Sequence, residues 1–376
     1  MVVGFNSNNK INIKKSTENS MTTISHQLNI TKQQIVNPAL TAPLEIITLA
    51  NSQGLTVSLS NLGASIWSVT VPEKGNEQTS TELVLNYQNV ADWAKNPYYF
   101  GVTAGRVANR IGGASFDLNG QTINLMANEG KNQLHGGPGG VSQCFWSFET
   151  SQDENSVAVT YRYHSPDGDQ GFPGNMDIEL TYRLTNDNEL LLTYQAIADQ
   201  TTPICLTNHA YWNLAGTSNG DILAHKLELP ADYTLALDEQ QIPTGELNLV
   251  TDSAFDFRTE KAIGKDIDQL ANGYDHYFVV NRDNNELMPV AKLTDPKSGR
   301  VMEILSTEAG VQFYSGNFLD GSHIGNNNQA LTKFMGLCLE THGYPDAVNH
   351  AHFPSVMVNK GTVYRQTTLH RFLNFK

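Results

Sequence analysis

Long apolar runs are missing from this sequence. No segment approaches the ~20 consecutive apolar residues that a membrane-spanning helix requires, and the polar N-terminus lacks the apolar centre of a secretory signal. Positive charge is also scarce: 24 Lys and Arg against 38 Asp and Glu leave a net charge of −14 over 376 residues. Nucleic acids and anionic membranes reward clustered Lys and Arg, so neither is expected as a partner. Only three cysteines occur, Cys144, Cys205 and Cys338, too few and too widely spaced for a disulfide framework or a zinc site. They read as small buried apolar residues in reducing surroundings, and the cytoplasm is the expected location. Helical periodicity is nearly absent: residues 92–94 suggest one turn, and residues 263–270 are the only short amphipathic candidate. Neither a phosphate-binding Gly-rich loop followed by Lys and Ser or Thr nor a Gly-x-Ser-x-Gly elbow is present.

What the chain does contain is strands and turns. Hydrophobic residues make up 39%, with 30 Gly and 14 Pro, enough apolar material for a large core punctuated by turns. Residues 55–60 alternate apolar and polar as a half-buried strand does, and 64–72, 156–163 and 301–307 read as further strands. Asn119-Gly120 between alternating arms predicts a hairpin over 116–125, and Thr185-Asn186-Asp187-Asn188 joins a second. Many strands without alternating helices predict an all-β protein, a large antiparallel β-sandwich. Residues 1–43 are rich in Asn, Ser, Thr, Lys and Gln and are expected to be a disordered or loosely attached extension, with Met21 a possible natural start. Residues 44–376 are expected to form one catalytic domain.

Two short stretches combine strand character with chemistry. Residues 335–347 start as an apolar strand, in which alternation puts Cys338, Glu340 and His342 on one face and Leu337 and Leu339 on the other. Residues 207–214 place Thr207, His209, Tyr211 and Asn213 together by the same rule, a polar and aromatic set suited to a sugar ring. A carboxylate and an imidazole supply what a proton-in, proton-out reaction needs. Taken alone, Glu340 reads equally well as an exposed edge carboxylate.

Further groups sit in Gly-bounded loops. Arg106, Asn109 and Arg110 offer donors and acceptors for neighbouring hydroxyls; Arg106 reads as a structural tie, Arg110 as the better ligand contact. His135 precedes Gly136-Gly137, where backbone or ligand can approach closely. Residues 165–175 form a polar loop without the ligand spacing of a calcium site. Asp275 could accept from two hydroxyls, and with His276 forms at most a metal fragment lacking a third ligand. Gln312 and Tyr314 share a strand face, and Gln312 reads as a hydroxyl reader or a solvent-facing residue.

Together, residues 105–111, 132–137, 208–214, 273–276, 312–321 and 339–347, in this order, resemble the aldose 1-epimerase (galactose mutarotase) family over about 44–375. The resemblance implies the galactose mutarotase-like supersandwich and cofactor-free, metal-free interconversion of the α and β anomers of free hexoses such as galactose and glucose. It further implies a monomer or homodimer whose partner is the small aldose itself. By motif position His209 would be the general acid and Glu340 the general base, with Asn109, Arg110, His135, Tyr211, Asp275 and Gln312 as sugar contacts. The family commonly has Gln where this chain has His342, a departure beside the base. Reference values of about 4.3 for Glu and about 6.5 for His predict an ionised Glu340 and a partly protonated His209, with the charges of Asp275 and Glu340 favouring imidazolium. The alternatives are a sugar-binding sandwich without catalysis, a glycoside hydrolase pairing Glu340 with Asp275, and an epimerase of phosphorylated hexoses. The last would need a basic cluster beyond Arg106 and Arg110.

Overall fold

A computed structural model describes residues 27–73, 76–282 and 284–375. Strands dominate, and every strand pair within the three large sheets is antiparallel. The first sheet runs Asn29–Ile35, Leu44–Ala50, Thr56–Ser60, Ser65–Glu73 and Asn76–Glu82 in simple succession. Its outer strand, Asn29–Ile35, lies inside the stretch expected to be loose, yet it pairs along its length with Leu44–Ala50. Residues 1–26, including Met21, lie outside the described residues.

The second sheet has nine strands centred on Glu189–Ala198, Val363–Leu373 and Val301–Ser306, so the C-terminal strand is locked between two partners. Period-two patterning explains its burial: in Met176–Thr185, Met176, Ile178, Leu180, Tyr182 and Leu184 are buried, while the residues between them are not. Both predicted hairpins form, and Asn119 and Gly120 adopt the positive φ values, 52° and 79°, that a tight two-residue turn demands. Residues 263–270 do not make an α-helix. They form two 3₁₀ turns, Ile263–Lys265 and Ile267–Gln269, while Val90–Lys95 supplies one short α-helix capped by Asn89.

The third sheet positions the site. Its order is Pro243–Leu249, Ala231–Leu237, Asp275–Val280, Gly310–Tyr314 and Cys338–His342. Register places Asp275, Tyr314 and Cys338 in one cross-strand row, Tyr277, Gln312 and Glu340 in the next, and Gly310 beside His342. These residues therefore share one face. Phe278, Val311, Phe313 and Leu339 point the other way, into the main core shared with the first two sheets. Burying an aromatic or branched side chain contributes about 1.5–3 kcal/mol, so this apolar back holds the polar front in place.

Candidate active site

The front of this sheet opens into a cavity of about 590 Å³ lined by Asn109, Arg110, His135, His209, Tyr211, Asp275, Gln312 and Glu340, all eight residues proposed from the sequence. His209 Nε2 lies 3.6 Å from Glu340 Oε1. Both side chains are buried, His209 being 6% and Glu340 3% exposed. Glu340 is thus no exposed carboxylate, although its strand is the outermost of the sheet: its Oε2 is buried without a protein partner, and so is available to a ligand.

The predicted strand at 207–214 is only Thr207–Asn208, paired with Thr103–Ala104. Beyond it the chain is irregular because Trp212 must bridge to Val84 and to Leu337, tying first and third sheets together. The alternation consequently fails for two members of the set. The Asn213 amide is spent on the Gly220 and Met335 carbonyls, and Thr207 lies buried away from the cavity. Tyr211 lines the site with its ring, since its hydroxyl donates to the Tyr98 carbonyl at 2.9 Å.

Asn109 and His135 form a reciprocal loop pair. The His135 amide donates to the Asn109 carbonyl (3.0 Å), and the Asn109 amide donates to His135 Nδ1 (3.2 Å). Both residues hold positive φ, 62° and 51°, a costly conformation for a side-chain-bearing residue and one that clusters at functional sites. Gly136 permits the crossing: a Cβ there would sit 1.9 Å from the Gly105 carbonyl oxygen. Arg106 is the structural tie expected, donating to Ser165 and to the Pro166, Pro173 and Gly174 carbonyls, so the 165–175 loop is scaffold.

Arg110 is clamped by Glu129 through two bonds of 2.7 and 3.0 Å and faces Asp275 at 3.6 Å. Gln312 Nε2 donates to the other Asp275 oxygen at 2.6 Å. Asp275 is therefore fixed by a cation and an amide, with its carboxylate turned into the cavity. His276 lies off this face, its ring 4.5 Å from that of Phe255, and makes no metal fragment with Asp275. Sequence reasoning missed Tyr99, Glu129, Gln240, Gln241 and Phe318, which also line the cavity. They come from loops whose approach depends on tertiary packing. Tyr314, another lining residue, was detectable from its alternation with Gln312.

Electrostatics overturn the simple titration picture. Burial pushes Glu340 well above the usual carboxylate range; the charge of Asp275 adds to this and Arg110 opposes it. Burial likewise lowers His209 to about 4, and Asp275 does not rescue the imidazolium. Desolvation wins because both groups are buried and the nearest cation is already shared by two carboxylates. His342, also lowered to about 4 by burial, donates from Nδ1 to the Gly343 carbonyl (2.6 Å) and does not line the cavity.

His135, His209 and Glu340 each bring one ligand atom within 4.8 Å of the others, close enough to suggest a metal centre. His135 argues against it. Its Nδ1 accepts from the Asn109 amide, so in the neutral ring the proton sits on Nε2, which then donates and cannot ligate. The donor set fits hydroxyls better than an ion.

Residues 45–371 match the aldose 1-epimerase family. This chain belongs to the aldose 1-epimerase family. Within the family it is 39% identical over 318 residues to the galactose mutarotase of Sus scrofa, covering 84% of this chain and 91% of that protein. The aldose 1-epimerase of Haemophilus influenzae is also 39% identical, over 314 residues, 82% of this chain and 89% of the relative. The crystal structure of an aldose epimerase homologue from C. elegans superposes with a TM-score of 0.79 at 29% identity, covering 91% of this chain and 99% of that one. The galactose mutarotase-like sandwich expected from the sequence is thus the fold observed.

Proposed function

We propose that the chain interconverts the α and β anomers of free aldoses, with Glu340 as general base and His209 as general acid. The observation that carries this reading is the 3.6 Å approach of His209 Nε2 to Glu340 Oε1 in the cavity that also gathers Asn109, Arg110, His135, Asp275 and Gln312. Burying two titratable groups against each other is costly, and a passive sugar-binding site has no use for both.

The proton count follows from the electrostatics. In the free site burial favours protonated Glu340 and neutral His209, one proton for the pair. Moving it from Glu340 to His209 costs no exchange with solvent and arms both groups. Carboxylate Glu340 then takes the anomeric hydroxyl proton while imidazolium His209 gives one to the ring oxygen. The C1–O5 bond breaks and the aldehyde forms. Glu340 is now protonated and His209 neutral, the arrangement burial prefers, so the site favours the open chain's protonation state. Rotation about C1–C2 and reversal of both transfers close the other anomer. Asn109, Arg110, His135, Asp275 and Gln312 hold the hydroxyls, and Tyr211 supplies an apolar ring face. A hydrolase pairing of Glu340 with Asp275 is disfavoured, since it leaves the close approach of His209 to Glu340 without a role.

In this reading residues 44–376 act as one catalytic domain, monomeric or homodimeric, without metal or cofactor. Cytoplasmic action accords with three unpaired cysteines, and among the described residues no helix is long and apolar enough to cross a membrane. Polarimetric equilibration of galactose, glucose, xylose and arabinose, with Glu340→Gln as control, tests the function. Catalysed equilibration that the control loses supports it, and an unaccelerated rate with every sugar contradicts it.

A further inference from the structure

We propose that Cys338 is a positioning residue for His209: its sulfur holds the Nδ1 proton, so that Nε2 is the nitrogen that exchanges protons with Glu340 and the sugar. This deepens the assignment of His209 as the acid and rests on it.

Cys338 Sγ lies 3.5 Å from His209 Nδ1, on the side of the ring opposite the Nε2 that faces Glu340. Cys338 is fully buried and sits two residues before Glu340 on the same face of the Cys338–His342 strand. One strand therefore carries both the base and the group touching the far side of the acid. The imidazole is boxed in by the rings of His135 (5.1 Å), Tyr211 (5.2 Å), Tyr99 (6.0 Å) and Tyr314 (6.4 Å), which resist its rotation.

Two hydrogen-bond directions are conceivable, and the chemistry selects one. Were the thiol to donate to Nδ1, neutral His209 would carry its proton on Nε2, and giving that proton to the ring oxygen would require Nδ1 to take the thiol's own and leave a buried thiolate. Burial and the nearby charges of Glu340 and Asp275 push the Cys338 thiol well up, so it keeps its proton. Sulfur then acts as a weak acceptor, adaptable in length as Nδ1 gains and loses positive character. Nε2 alternates between N–H and lone pair.

The direct test is ¹⁵N NMR of the His209 ring in the wild-type enzyme at neutral pH. A protonated Nδ1 and a pyridine-like Nε2 are expected; the reverse pattern overturns the proposal. Kinetics give the second readout. Cys338→Ala is expected to lower kcat about 5- to 10-fold, the scale of one hydrogen bond to a reacting group, with KM unchanged and the acid limb of the pH profile moved. Cys338→Ser, which restores an acceptor, is expected to recover most of the loss. An alanine variant with wild-type kcat and pH profile, or a serine variant as impaired as alanine, overturns the proposal while leaving His209 as acid. Wild-type turnover in His209→Asn would remove the acid assignment and this inference with it.

Discussion

A carboxyl and an imidazole that are both neutral when buried make an unusual acid–base pair, and their pH dependence is diagnostic. The competent form holds one proton. Below about 4 neutral His209 takes up a second proton, so Glu340 can no longer be freed as a carboxylate and the rate falls. At high pH the pair loses its only proton once the raised Glu340 value is passed, and the acid disappears. We predict that kcat/KM is flat through neutrality with an acid limb near 4; a limb near 6.5, the ordinary imidazole value, would contradict the account. Stability follows the same logic. Glu340's folded pKa lies above its ordinary 4.5, so its contribution to stability is complete below 4.5 and is lost as pH rises through the folded value. Glu340→Gln should therefore melt higher than wild type at pH 7 and show no such gain near pH 4, as thermal unfolding at the two pH values would reveal. The residue types at the site were legible because each motif set a chemically capable group beside a glycine or on a short strand. Their protonation was not, since reference values ignore a desolvation that only the assembled pocket imposes.

The third sheet shows how an element turns alternation into a site. Asp275, Gln312, Tyr314, Cys338 and Glu340 share the front, and Phe278, Phe313 and Leu339 fill the core behind. Period two in 338–342 and 310–314 announced this arrangement. The same rule misled at 207–214, where His209 and Tyr211 reach the cavity from irregular backbone and Thr207 and Asn213 do not. Tertiary bridging by Trp212 decides that segment, and no local pattern encodes it. Contacts such as the Glu129 clamp on Arg110 and the Gln240 side chain at the cavity wall arise from loops distant in sequence and were invisible for the same reason. Phe313→Ala removes a buried ring from behind Gln312 and should cost about 3–5 kcal/mol of stability, measured by denaturant unfolding. A loss below ~1 kcal/mol would mean that the sheet's back does not support its front.

At the scale of the molecule, a net charge of −14 coexists with a site that reads neutral hydroxyls. Electrostatic steering has nothing to act on in an uncharged aldose, and the His209–Glu340 pair is buried from mobile ions. Although screening length falls from about 30 Å to about 3 Å between 0.01 and 1 M salt, kcat/KM should stay within about twofold across that range. A steep salt dependence would point to a charged substrate. The three sheets share one core, and that core brings His209 and Glu340 together across 131 positions of chain. The decisive measurement is the rate at which freshly dissolved α-anomer approaches rotational equilibrium with wild type, His209→Asn and Glu340→Gln. Each variant is predicted to fold normally and to lose at least ~10²-fold in turnover; near-wild-type turnover in either one would contradict the account.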